Sequence, residues 1–337
     1  MQRRITPFIT AGGFAVAYIG PPAVPSQTRT RKGGDDESGC SRLSYRGVRL
    51  MLTVWSGLAI GAIYVLVAIG FNIVFVASGT FNFAQPQYLM IGAFIGYSVV
   101  VTWKMPVFVA ILLGAGIGFA IGAAEEWIAV RPLAGSGAHG ELVTTVGWSV
   151  VMQGSALLLW GSDPLAVPGG GADHLIDIGG GRLSVNDITL IIIAVALALG
   201  AHLWFRRSRH GIASLATAED RQAAMVRGIN TRVLSTVAFG VAGGLMGALG
   251  PVVAPKTFAI FTLGSVLVLK AFVAMAVGGF GSYIGVLIGG FVVGIAEAEA
   301  SRYWGTDYVN LTIFVILVGV LMLRPQGLLG QKSERVV

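Results

Sequence analysis

From Leu52 to Leu323 the chain alternates apolar runs of 15 to 25 residues with short polar breaks. The runs cover about Leu52–Val76, Tyr88–Thr102, Val107–Val130, Leu142–Trp160, Ile188–Phe205, Val233–Val253, Leu263–Val277, Tyr283–Ala298 and Val309–Leu323. Length is the signal here, because a helix needs about 20 apolar residues to cross a hydrocarbon core. The pattern predicts an all-α fold: a polytopic membrane protein of about 8–9 transmembrane helices with re-entrant segments. The second and seventh runs are short, so one of them is expected to be tilted, broken or re-entrant. Between Ser162 and Asp187 the stretch HLIDIGGGRLSV reads as two short strands around a Gly turn.

Composition agrees with this class. Only 12% of the 337 residues are charged, about half the usual share for a soluble protein. The 49 glycines suit helices that pack closely where lipid supplies no hydrophobic drive. Trp55, Trp103, Trp127, Trp160, Trp204 and Trp304 fall near predicted ends, as an interfacial aromatic belt requires. Trp148 does not, and is expected between helices. One cysteine, Cys40, excludes an internal disulfide framework, and four scattered histidines give no zinc spacing.

Charge is uneven. Residues 1–50 hold eight Lys/Arg against three acids, and the rest fifteen against thirteen, so the net +7 mostly describes the N-terminal segment. That distribution is no footprint for nucleic acid. Residues 1–50 read as a probable disordered or mis-assigned extension. TRTRKGGDDESGCSRLSYRGVR within it is expected as polar linker, and the natural product is expected to begin at Met51. A genuine leader, with Ile5–Val24 as its apolar core, is the alternative. Arg206, Arg207, Arg209, Arg221, Arg227 and Arg232 form the densest short basic cluster, which places the 206–230 loop in the cytoplasm. The tail, 331–337, falls on the same side, and the Ser162–Asp187 loop faces outward.

Ionisable residues at membrane depth are functional candidates by default. Glu125, Glu126, Glu297 and Glu299 lie within a turn or two of predicted ends and are expected to reach the interface. Lys270 is the deepest; a helix–helix partner and a pathway-lining role both stay open for it. GPVVAPKT at Gly250–Thr257 imitates a phosphate loop, but Pro255 stands where a glycine N–H must face phosphate. It is read instead as a helix break near the outer face. No Ser/His/Asp or Cys/His set supports catalysis, so no enzyme activity, cofactor or metal is expected.

One polar segment interrupts the apolar centre: ATAEDRQAAMVRGIN, Ala216–Asn230. Thr217 and Asp220 fit a capping box, Glu219 and Asp220 suit a first turn, Arg227 a last turn, and Gly228 a left-handed stop. These predict one helix over Ala218–Arg227, roughly 15 Å long. So short a helix needs a partner surface. Lipid headgroups and a cytoplasmic protein are both open, and two specified caps with a weak apolar side favour the protein.

Gln222-Ala223-Ala224 followed by Gly228 resembles the EAA-xxx-G loop of ABC importer permeases. RRSRHGIASLATAEDRQAAMVRGIN, LKAFVAMAVGGFGSYIGVLIGGFVVGIAEA and LRPQGLLG are similar to the LivH-type permease of branched-chain amino acid importers. GFNIVFVASGTFNFAQPQYLMIGAF looks like that family's first re-entrant region. The resemblance implies a membrane-embedded permease without its own ATPase activity, in the inner (plasma) membrane. It implies a second, related permease as heterodimer partner, two ABC ATPase subunits and an extracytoplasmic binding protein. It makes Glu219, Asp220, Gln222, Ala223, Ala224 and Gly228 the ATPase-coupling residues of the 217–228 helix. Where the family reads like NFAHGE, this chain has Asn82-Phe83-Ala84-Gln85-Pro86-Gln87, so amides, urea and other amino acids stand beside branched-chain amino acids as cargo. Phe71–Gln87 and Pro251–Phe258 are expected as irregular, path-lining segments, with Asn72, Asn82, Gln85, Gln87 and Lys270 as their polar groups. A secondary transporter or channel for a small polar solute is the alternative reading.

Overall fold

The computed structural model describes residues 37–133, 138–169, 175–178, 181–324 and 326–330. Residues 1–36 of the expected extension and the 331–337 tail lie outside these. The chain runs through α1 (Glu37–Ser78), α2 (Gln85–Tyr97), α3 (Val107–Glu125) and α4 (Ala138–Trp160) to a hairpin, β1 (Leu175–Ile178) and β2 (Gly181–Ser184). It continues through α5 (Val185–Arg207), α6 (Arg209–Glu219), α7 (Arg221–Val226), α8 (Thr231–Thr257), α9 (Leu263–Gly278), α10 (Tyr283–Tyr303) and α11 (Val309–Leu323). The fold is all-α apart from that hairpin, whose antiparallel register pairs Leu175 with Ser184.

Each predicted apolar run is helical. Among the described residues, seven segments are long and apolar enough to cross a membrane, and α9 is apolar but shorter. α2 is also short and widens into a π-helical turn at Ser98–Thr102. α1 and α8 form the centre: 89% and 72% of their most apolar stretches are buried, against 17% for Gly140–Trp160 and 11% for Thr306–Leu323. The inner helices touch through backbone. A Cβ added at Gly114, Gly118 or Gly122 of α3 would fall 2.3, 2.3 or 2.4 Å from the carbonyl of Gly247, Gly243 or Phe239 in α8. Without a hydrophobic drive between helices, such close packing is what joins them.

Three expectations are corrected. Residues 37–50, expected as linker, are helical and continuous with the first span. The first irregular segment is limited to Gly79–Ala84, because α1 runs on to Ser78 and α2 opens at Gln85, with Pro86 in the first turn where a missing N–H costs nothing. The predicted break at Pro251–Phe258 is absent: α8 runs through Pro251 and Pro255 to Thr257. Pro251 withdraws the donor that the Gly247 carbonyl would have used. That carbonyl instead faces Gly92 and Gly114, where an added Cβ would lie 2.3 Å away in either case. α8 stops only at Phe258, which holds φ 60°.

Beyond Phe258 the chain turns back. Ala259 pairs with Leu165 of the outer loop through two hydrogen bonds of 2.9 and 3.0 Å. Residues 258–262 then carry the chain inward to α9. The depth of that return follows from helix register. Gln85 of α2 donates to the carbonyl of Ala242 at 3.0 Å. Ala242 lies eleven residues beyond Thr231, the first residue of α8, which is about 16 Å along the axis. Two residues further along α2, about 3 Å on, Gln87 lies against Gly264 in the first turn of α9. α9 therefore starts near half of the roughly 30 Å core. It ends where the carbonyls of Val277 and Gly278 accept from Leu328 and Leu329, at the same end as the start of α8.

Candidate transport and coupling sites

The polar residues predicted for a path gather on α1, the Gly79–Ala84 loop and α2. Asn72, Asn82 and Gln85 are fully buried, and Gln87 is 3% exposed. Each has part of its hydrogen bonding met. Asn72 Oδ1 accepts from the N–H of Gly281 at 2.9 Å, and Asn82 Oδ1 accepts from Ala84 N–H at 2.8 Å. Gln87 Nε2 donates weakly to Ser265 Oγ at 3.4 Å. Asn72 Nδ2, Gln85 Oε1 and Gln87 Oε1 are left without a partner. Unmet polar atoms in an apolar interior are costly. Rings of Phe75, Phe81, Phe83, Phe272 and Phe280 pack with centroids 4.8 to 6.2 Å apart.

The charged residues do not behave as expected from their distance to predicted ends. Glu125 is fully buried. It accepts from Asn82 Nδ2 at 2.8 Å and from the Tyr88 hydroxyl. The helix does not end at Glu125; a π-helical turn, Glu126–Val130, carries it on, so the carboxyl stays inside. Glu126 is also buried and pairs with Arg131 at 3.0 Å, and Thr236 Oγ1 of α8 donates to it at 2.7 Å. Glu299 is half-buried.

Lys270 has a helix–helix partner. Its Nζ meets Glu297 Oε1 of α10 at 2.5 Å, and the Tyr64 hydroxyl of α1 donates to the other carboxylate oxygen. The ammonium also lies 5.7 Å from the Tyr64 ring centre. The triad fastens α1, α9 and α10 together. Nothing in the sequence pattern distinguishes Tyr64, although Glu297 and Lys270 are opposite charges at membrane depth. A second pair, Lys256 with Asp187 at 2.6 Å, joins the last turn of α8 to the first turn of α5, where each charge suits the helix dipole.

The coupling segment is two helices, not one. α6 ends at Glu219, Asp220 is extended (φ −147°, ψ 105°), and α7 begins at Arg221. The cap is Asp220 alone, whose carboxylate accepts from the N–H groups of Gln222 and Ala223 at 2.8 and 2.9 Å. Thr217 is interior to α6 and donates to the Ala213 carbonyl, so the expected capping box does not form. Glu219 closes α6 instead of opening a first turn. Gly228 holds φ +84° as expected, and no neighbour would meet a Cβ there, so its backbone conformation is the constraint. Ala224 is buried while Gln222, Ala223, Met225 and Val226 are exposed, Val226 at 88%. Arg221 reaches from α7 into a cavity of 260 Å³ that Glu126, Arg131, Glu141 and Ser78 also line. The α6–α7 hairpin thus meets α1, α4 and the turns that follow α3 at one polar cavity.

These features define a class: a polytopic membrane protein with a polar helical hairpin and buried polar groups among its apolar helices. The family described as branched-chain amino acid transport system, permease component, matches residues 53–323, and the chain belongs to it. It is 30% identical over 296 residues to the high-affinity branched-chain amino acid transport permease BraD of Pseudomonas aeruginosa, covering 84% of this chain and 96% of that one. It is 31% identical over 299 residues to LivH of Escherichia coli K12, with the same coverage. A probable LivH of Methanocaldococcus jannaschii is 25% identical over 289 residues, covering 79% of this chain and 88% of that one. The chain is a multi-pass inner-membrane transport permease and not an enzyme.

Proposed function

We propose that the chain is one of two related permeases in an ATP-driven importer of branched-chain amino acids or related small amides. Residues 51–330 are its permease domain. Two ABC ATPases drive it through the 206–230 loop, and an extracytoplasmic binding protein delivers the cargo. The observation that carries this reading is the α6–α7 hairpin. It presents Gln222, Ala223, Met225 and Val226 outward, between the Asp220 cap and the Gly228 stop. A chain with no nucleotide loop of its own needs such a surface to receive work from another protein. Closure of the ATPases would push on α7. Arg221 would pass that push to the cavity beneath α1, α3 and α4, and Asn230, capping α8 through Val233 N–H, would pass it to α8. The buried amides of Asn72, Asn82, Gln85 and Gln87 are the groups along the path, and Lys270 positions α9.

Ala223→Glu tests the hairpin. An unpaired charge buried in an interface costs more than the ~1.4 kcal/mol that a tenfold change represents. Co-purified ATPase should fall about tenfold or more while the thermal midpoint of the permease stays unchanged. Full retention of the ATPase would remove the coupling assignment.

A further inference from the structure

α9 begins inside the membrane with a bare first turn. Thr262 stands at its N-cap without a side-chain capping bond. The Leu263 N–H goes to the Ile260 carbonyl at 3.0 Å and the Val266 N–H to the Thr262 carbonyl at 3.2 Å. The N–H groups of Gly264 and Ser265 have no acceptor among the described residues. A helix N-terminus carries about half a positive charge and favours an anion, and it does so strongly where water is scarce.

A second observation lies at the same place. Gln87 is 3% exposed and its Oε1 has no partner. A Cβ added at Gly264 would fall 2.3 Å from that Oε1, so the bare glycine lets the amide lie against the helix start. Gln87 Nε2 donates to Ser265 Oγ, and Ser265 Oγ donates to Gln153 Oε1 of α4 at 3.1 Å. Three uncharged polar side chains from α2, α4 and α9 thus converge on one helix N-terminus at mid-depth. Ser265 is exposed, so the group opens on the side of the subunit. The first-turn N–H groups and Gln87 Oε1 are left unmet there, and a wet path or a polar ligand can meet them where hydrocarbon cannot.

We infer that the first turn of α9, with Gln87, Ser265 and Gln153, is a mid-membrane station that takes the carboxylate of an α-amino acid on its way through. The N–H groups of Gly264 and Ser265 donate to the carboxylate, and Gln87 Oε1 accepts from the ammonium group of the same molecule. No full charge of the protein is used. A partial charge holds a zwitterion weakly enough to release it, as passage requires. The inference rests on the importer reading above.

The test uses the whole complex in vesicles, with binding protein and ATPases, and reads labelled leucine imported per ATP hydrolysed. Gln87→Met keeps the length of the side chain and removes the acceptor proposed for the ammonium group. Losing a hydrogen bond to a charged group is about a tenfold effect or more, so import per ATP should fall by that factor while complex yield holds. In a Cys40→Ser background, Ser265→Cys should react with an anionic, water-soluble thiosulfonate, and leucine should slow the reaction. Wild-type import per ATP in Gln87→Met, or a Ser265→Cys thiol inert in every state, would overturn the station. A wild-type complex that carries acetamide but not leucine would overturn the carboxylate. A wild-type complex with no ATP-driven uptake at all would sink the importer reading itself.

Discussion

At the scale of single residues, the buried charges are structural fasteners before they are anything else. Lys270 and Glu297 have side chains 9% and 13% exposed, and Tyr64 completes the set. Breaking a buried pair leaves one unpaired charge, at a cost of about 3–5 kcal/mol. Lys270→Met should therefore destabilise the permease strongly in a thermal melt in detergent, and adding Glu297→Gln should restore much of the loss. A single variant as stable as wild type would show that the pair contributes nothing. The sequence flagged Lys270 and Glu297 but not their contact, because 27 residues and a turn separate them and only tertiary packing sets two helix faces together. Glu125 was misplaced because distance from a predicted end does not say which way a side chain faces: the run does end at Val130, yet Glu125 turns inward to Asn82 and Tyr88.

At the scale of elements, all nine apolar runs were legible and became helices, since length and hydropathy alone decide them. Their depth was not. α9 begins at half-depth because residues 258–262 return inward, and that return depends on Phe258 and on the pairing of Ala259 with Leu165. The coupling hairpin shows the same limit. Glu219 and Asp220 look alike in a first-turn count, yet the extended backbone at Asp220 puts them on different helices. Asp220→Ala removes two capping bonds and should cost about 1 kcal/mol locally. Hydrogen exchange would register this as faster exchange at Gln222 and Ala223, and unchanged protection there would dismiss the cap. Helix packing makes a sharper prediction. Gly118→Val drives a side chain into the Gly243 carbonyl, whereas Gly116 faces open space. Overpacking typically costs about 1–3 kcal/mol, so the first should lower the thermal midpoint and Gly116→Val should not. Equal effects would contradict the α3–α8 contact.

At the scale of the molecule, the inner helices are packed and the outer ones are not. α4, with Val143, Val150, Val151, Leu158 and Leu159 between 59% and 88% exposed, and α11 offer broad apolar surface to lipid. The polar station beside Gln153 opens on the α4 side, so a partner permease there would close the path. The family was readable from Gln222-Ala223-Ala224, Gly228 and the glycine-rich helices. The cargo was not, because the backbone N–H groups of α9 proposed to meet it are supplied by almost any residue type. The most direct measurement of the central claim is leucine uptake by vesicles holding the permease pair, binding protein and ATPases, with and without ATP. Uptake that requires ATP and stops with vanadate is the predicted result. Uptake that persists without the ATPases would contradict it and leave a secondary transporter or channel.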